Sequence, residues 1–381
     1  MLPMKQTARI ISTYSADVFG VCSALFELGG MCVMHDASGC NSTYSTHDEP
    51  RWYDMDSMVY ISAISELEAV MGDDEKLIGD ICDAASRFRP RFIAIAGTPI
   101  PTMIGFDFKA VASLIEHRTG IPTFGFPTTG MNTYIHGASM ALRGIADRFV
   151  KDAERIHNGV NVLGLTPLDF SVNGADRSIC HYLEDMGFSV VSRWAMGADL
   201  DELTRAAQAG VNLVASAAGF GAAELLKERF GIPYVVGLPI GENQKERLSR
   251  LLHVAAETGE NQICRAGGLD ARIAVIGEGV TSLALTNSVE WETGRGAKVL
   301  CATECPPGIL RPGDALTPDE DDILSALDGV KTVIADPLYA PILPKDVRFI
   351  PLPTEAFSGR IYRAQIPNLI AYPQAILKEV K

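Results

Sequence analysis

Short β-branched and apolar runs alternate with stretches of helical spacing along almost the whole chain. That alternation restricts the fold more than any other feature. Arg91-Phe-Ile-Ala-Ile-Ala-Gly97 reads as a buried strand ending in glycine, and Gly120-Ile-Pro-Thr-Phe-Gly125 as another, preceded by a helix around Phe108–His117. A long amphipathic stretch, Tyr134–His157, closes a first unit. A second series runs through the strand Asn161–Leu165, the helix Ser178–Met186, the strand Ser189–Val191 and the helix Leu200–Ala209. It continues with the strand Val211–Ala215, the helix Ala222–Phe230 and the strand Pro233–Val236. A third series begins at Arg272–Ile276 and includes Lys298–Cys301, Thr332–Ile334 and Val347–Ile350. Alternation of this kind implies parallel sheets covered by helices on both faces.

Gly-Ile-Pro occurs twice, at Gly120–Pro122 and Gly231–Pro233, each time after a helix and before a strand. Glycine caps the helix and proline bars its continuation, so one αβ connection serves in two related domains. The expected architecture is α/β, with three doubly wound, Rossmann-like parallel-sheet domains over residues 1–158, 159–267 and 268–381, the last shortened and followed by a tail. Ligands of such sheets bind beyond the carboxyl ends of the strands. The candidate loops are therefore Gly97–Gly105, Pro127–Tyr134, Thr166–Gly174, Ser216–Gly221 and Gly277–Thr281.

A length of 381 residues holds two or three domains, and 47% hydrophobic with 21% charged residues describes a globular chain. The net charge of -14 argues against a general nucleic-acid binder. Met1–Arg9 lacks the layout of a signal peptide, and no apolar run is long enough to cross a bilayer. The expected compartment is the cytoplasm, with no membrane partner.

Eight cysteines are scattered rather than clustered, unlike a disulfide-stapled domain. Cys82, Cys180 and Cys264 fall in helical-looking stretches and read as buried small hydrophobes. Cys22 and Cys40 stand apart, because each sits beside glycine and other small residues where a bulky inorganic group can approach. Two thiolates do not complete a four-coordinate site, so a second copy of the chain would supply the rest. A metal cluster bridging two copies is the first hypothesis for the pair.

Other motifs carry less. Gly277-Glu-Gly-Val-Thr281 has the position of a phosphate-binding turn but Ser282 where the dinucleotide fingerprint needs glycine, and no Walker A sequence is present. Cys301-Ala-Thr-Glu-Cys305 lacks a partner pair and reads as a structural loop. Seven histidines show no i, i+4 metal pair; His35 and His136 read as hydrogen-bonded structural residues. No serine nucleophile elbow occurs.

The order of these segments resembles the nitrogenase component 1-like oxidoreductases: the molybdenum–iron protein subunits, the cofactor-assembly scaffolds, dark-operative protochlorophyllide reductase and the reductase of the methanogenic nickel tetrapyrrole. The resemblance rests on the Cys22 segment, Ser38-Gly39-Cys40 with Tyr44, Ser62–Ser65 leading to Met71–Leu77, Pro99–Asp107, Val211–Val214 and Glu228–Pro233. It implies that Cys22 and Cys40 are cluster ligands, that Gly39 lets backbone approach the cluster, and that Tyr44 packs beside it. The family's third cluster cysteine falls where this chain has Pro99, and the cysteine that ligates the iron–molybdenum cofactor aligns with Ser216. No counterpart of the cofactor histidine is found, which speaks against nitrogen fixation.

A symmetric homodimer would present four thiolates to one [4Fe–4S] cluster on its two-fold axis; a paralogous heterodimer is the alternative, and Cys32 is the substitute ligand. The resemblance further implies an iron-protein-like ATPase that delivers electrons, and a small-molecule substrate, with a tetrapyrrole among the candidates, in the cleft between domains. A non-catalytic scaffold for metallocofactor assembly is the second expectation.

Overall fold

The computed structural model describes residues 9–39, 41–44, 48–268 and 270–380. Three parallel sheets carry the described chain. The first contains β1 (Met31–His35), β2 (Met58–Ile61), β3 (Ile93–Gly97) and β4 (Thr123–Phe126) in the order β2-β1-β3-β4. The second contains β5 (Gly159–Leu165), β6 (Ser189–Ala195), β7 (Val211–Val214), β8 (Tyr234–Val236) and β9 (Gln262–Ile263) in the order β6-β5-β7-β8-β9. The third contains β10 (Ala271–Gly277), β11 (Gly296–Cys301), β12 (Ala315–Leu316), β13 (Thr332–Ala335) and β14 (Arg348–Pro351) in the order β12-β11-β10-β13-β14.

Every residue of β1, β3, β5 and β7 is buried, as expected for parallel strands with helices on both faces. All three sheets are doubly wound; the first two place one strand before the switch of direction and the third places two, so the units differ in detail. Both Gly-Ile-Pro connections behave as read: Gly120 and Gly231 cap their helices at φ 71° and 68°, the left-handed region where glycine carries no Cβ penalty.

Several expected elements end elsewhere. The helix from Tyr134 stops at Phe149, and residues 151–156 are irregular. Leu200–Ala209 is a short helix, Leu200–Thr204, followed by a 3-10 turn at Ala206–Gln208. Cys264 is not helical: it follows β9, is buried, and its N–H donates to the Val236 carbonyl at 2.9 Å. Cys82 and Cys180 lie in helices as expected but are only half-buried.

Two features hold the site region rigid. The helices Asp17–Leu25 and Tyr134–Phe149 cross backbone to backbone at Gly20 and Gly137. A Cβ on Gly20 would meet the Tyr134 carbonyl oxygen at 2.0 Å, and one on Gly137 the Asp17 carbonyl oxygen at 1.8 Å. In addition, one apolar core runs without a break through all three units, joining Val21 and Phe92 to Leu163 and Trp194 and on to Ile276 and Val299. Past β14 the chain returns across the molecule, where the Ala356 N–H donates to Leu168 and the Ala356 carbonyl accepts from Ser15.

Candidate functional site

The loops at the carboxyl ends of the three sheets converge. Asp17, wholly buried at the head of its helix, accepts from the N–H groups of Thr129 and Gly130 and from the Asn132 amide at 2.8–3.1 Å. This holds the Pro127–Tyr134 loop in place. Glu304, on the loop after β11, accepts from the Thr133 N–H at 2.9 Å and from its hydroxyl, which ties the third unit to the first. Between these ties lies an open cleft of about 450 Å³, walled by His136, Arg143, Ala217, Phe220, Glu304 and Pro306 among others. All three units contribute to it. Mixed apolar and charged walls of this kind suit a ligand with an apolar body and polar groups at its edge.

Behind the cleft is a small cavity of about 30 Å³, room for one water. Tyr14, Tyr134, Asp169, Glu278, Thr281 and Thr354 line it. The Thr354 hydroxyl is buried there without a hydrogen-bond partner, which a bound water would satisfy, while the Tyr14 hydroxyl lies near Tyr339 and the Thr281 hydroxyl near Glu278. Asp169 accepts from the Tyr134 hydroxyl and, at 2.6 Å, from the Thr166 hydroxyl. Glu278 caps the helix Gly279–Thr293 through Val280 and Thr281 and also accepts from the Ala217 N–H at 3.0 Å; Ala217 is itself in the cleft wall.

Burial, and next the nearby Glu278 charge, push the Asp169 carboxyl up to about 7. Burial raises Glu278 as well, against the pull of its backbone donors. Tyr134 is held well above the phenol range by burial and by Asp169. Two carboxyls that disfavour joint ionisation form a group able to take up and release a proton near neutral pH.

The cysteine expectations fare differently. The Cys22 side chain is wholly buried (0% exposed) near the thiol of Cys32, itself 2% exposed on β1. The structure thus brings the candidate ligand and its substitute together, in the core. The Cys32 thiol, and next burial, raise Cys22 well above the ordinary thiol range.

Tyr44 is buried and stacked on Phe19 at 4.7 Å, and its hydroxyl donates to Glu49 at 2.9 Å. Glu49 also accepts from Ser23 at 3.0 Å and from Arg51 at 2.6 Å, and Arg51 reaches Glu27 at 2.9 Å. Gly39 is exposed, with open space where a side chain would stand. Cys40 lies outside the described residues. Among the described residues no cluster of three or more His, Cys, Asp or Glu has metal-binding geometry.

His35 is structural, as read. Its Nδ1 pairs with the Ser62 hydroxyl at 2.8 Å, its ring packs on Phe106, and burial lowers it to about 4. Ser216 is wholly buried and donates to the Gly164 carbonyl at 2.8 Å. His136 stands in the cleft wall. The turn Gly277–Thr281 follows a strand and opens a helix as read, but Glu278 occupies its N–H groups. Sequence reasoning passed over Asp169, Glu278 and Glu304. A signal existed for the first, since Thr166-Pro-Leu-Asp169 directly after a strand is a capped first helical turn.

Three parallel sheets meeting at a common cleft, with an acid pair behind it, define a three-sheet α/β protein. The chain belongs to the nitrogenase component 1 type oxidoreductase family, whose model matches residues 17–267. It is 26% identical over 178 residues to the nitrogenase iron-molybdenum cofactor biosynthesis protein NifE of Clostridium pasteurianum, covering 45% of this chain and 38% of that one. It is 26% identical over 182 residues to the nitrogenase molybdenum-iron protein alpha chain of the same organism, covering 46% and 33%. A light-independent protochlorophyllide reductase subunit from Prosthecochloris aestuarii is 26% identical over 212 residues, covering 52% and 38%. The matches thus span well under two thirds of the length of these relatives. A chain of the solved structure named "Nitrogenase Cp1 at pH 6.5" superposes with a TM-score of 0.69 at 17% identity, over 100% of this chain and 94% of that one, which establishes the shared fold. Among the described residues no helix is long and apolar enough to cross a membrane.

Proposed function

We propose that this protein is the substrate-binding component of a two-part reductase. An ATP-hydrolysing, iron-protein-like partner supplies electrons, and a small molecule, a tetrapyrrole among the candidates, is reduced in the three-walled cleft. The observation that carries the reading is the cleft itself, with a carboxyl poised near neutral pH directly behind its wall. Arg143 and His136 would orient anionic or hydrogen-bonding edges of the substrate. The Asp169–Glu278 pair would hold the proton that each reductive step requires, with Tyr134 and the cavity water as its hydrogen-bonded surroundings. The units would follow residues 1–158, 159–267 and 268–381, and the cytoplasm is the proposed compartment.

When bound, a [4Fe–4S] cluster supplies single-electron transfer. The sequence candidates for a cluster shared by two copies are Cys22 and Cys40. As placed, Cys22 does not fit: a cluster on a two-fold axis needs thiolates at a surface, and this thiol faces Cys32 inside the core. The reading therefore rests on the cleft and the acid pair.

The test is anaerobic purification, with iron and acid-labile sulfide measured per chain and electron paramagnetic resonance after reduction. ATP-dependent reduction of an added small molecule in the presence of an iron-protein partner, weakened in Asp169→Asn, is the expected result. A folded, iron-free protein that shows no ATP-dependent reduction with an iron-protein partner would overturn the reductase reading. The match to a cofactor biosynthesis protein favours a second reading, a scaffold on which a metallocofactor is built. A scaffold releases its cargo to an acceptor and shows no multiple turnover.

A further inference from the structure

Cys301 closes β11, and Cys305 follows on the loop that carries Glu304 to Thr133. Both sulfurs converge on Gly279, the first residue of the helix Gly279–Thr293: a Cβ there would lie 2.9 Å from Cys305 Sγ and 3.5 Å from Cys301 Sγ. The two thiols thus lie close together beside one residue, and Cys301 donates to the Thr303 carbonyl at 3.4 Å. Cys301 is wholly buried, whereas Cys305 is half-buried and reaches solvent. Its neighbours Glu304, Pro306 and Pro307 line the cleft.

We propose that Cys301 and Cys305 form a reversible dithiol–disulfide couple in the cleft wall, exchanging with small-molecule thiols and disulfides. The proposal does not depend on the reductase reading. Cys305, the less buried residue of the two, attacks one sulfur of a small disulfide as thiolate. The departing thiolate takes up the proton that Cys305 lost, leaving a mixed disulfide on Cys305. Cys301 then attacks Cys305 Sγ and expels the second small thiolate, which takes up the Cys301 proton. The cysteines have given up two electrons and two protons, and the small disulfide has become two thiols.

Linking the sulfurs constrains the loop that holds Glu304, and with it the tie to Thr133 at the head of the helix bearing His136. The neighbouring Cys301 thiol and burial hold the Cys305 proton far above the ordinary thiol range.

The experiment incubates the fully reduced full-length chain with oxidised glutathione, quenches samples with iodoacetamide, and maps the cysteine peptides by mass spectrometry. The expected link joins Cys301 to Cys305. It should form at least about tenfold faster than any link between Cys22 and Cys32, which lack solvent access. In Cys301→Ser the mixed disulfide should accumulate on Cys305. The proposal is overturned if Cys301 and Cys305 both stay reduced once the chain has come to equilibrium with excess oxidised glutathione. Because the wild-type map decides this, a variant that fails to fold does not rescue the idea.

Discussion

Cys22 faces Cys32 between the helix Asp17–Leu25 and β1, and Cys305 faces Cys301 between the loop after β11 and the head of the helix Gly279–Thr293. Each is a pair of neighbouring thiols, built where a helix meets a parallel strand. Their surroundings differ. The first pair has apolar core on one side and the buried Glu49–Arg51 network on the other, with no path to solvent. The second has one half-buried member, whose sequence neighbours line a cleft shared by three units. Local sequence ranked the two the other way round, because glycine neighbours suggest space for a cofactor. Near Cys22 the close approach belongs to another helix: Gly20 is small so that Tyr134–Phe149 can pack on it.

The strongest way to break this contrast is Arg51→Met. Arg51 and Glu49 have side chains 4% and 0% exposed, and removing the cation leaves two carboxylates uncompensated. A loss of about 3–5 kcal/mol is expected from urea denaturation; a loss below about 1 kcal/mol, typical of exposed pairs, would mean that the region is not core.

A second test concerns pH near the other pair. Asp169 stands at about 7 when folded against an ordinary 3.8, so between these values the folded state keeps a proton that the unfolded chain has lost. Its contribution to stability is full below the lower value and falls as pH rises toward the upper one. The raised Glu278 acts in the same direction. Urea midpoints from about pH 4 to about pH 8 should show this decline, and Asp169→Asn should flatten it. An unchanged slope would remove the acid pair.

Glu304→Gln weakens the tie to Thr133 and should cost about 1–2 kcal/mol while speeding alkylation of Cys305; alkylation at the wild-type rate would show that the loop does not depend on the tie. The smallest effect is expected from Cys22→Ala, about 1 kcal/mol with iron content unchanged. Loss of iron in that variant would return Cys22 to the ligand set and reverse the comparison.

The sheets were legible because buried parallel strands write themselves as continuous apolar runs such as Ile93–Gly97, and because Gly120 and Gly231 punctuate their helices unambiguously. β1 was visible only as an apolar stretch, and the two-residue strands β9 and β12 were too short to leave a pattern. The extra strand that the third sheet places before its switch of direction leaves no local mark, since strand order is decided by packing between segments far apart in sequence. The site was harder for the same reason. Asp169 and Glu278 are ordinary helix-capping acids in their own segments, and only the meeting of two sheets makes them a pair.

The unbroken core bears on how a ligand gets in. Proteins that close around a ligand like a jaw have halves with separate interiors, so they can swing about a linker. Here Leu163, Ile276 and Phe92 belong to one packed mass, and swinging any unit away would tear it open. Entry must therefore be a matter of side chains and short loops at the rim, such as the Glu304 latch. The cleft works as a door in a fixed wall, and its traffic is set by what holds that door.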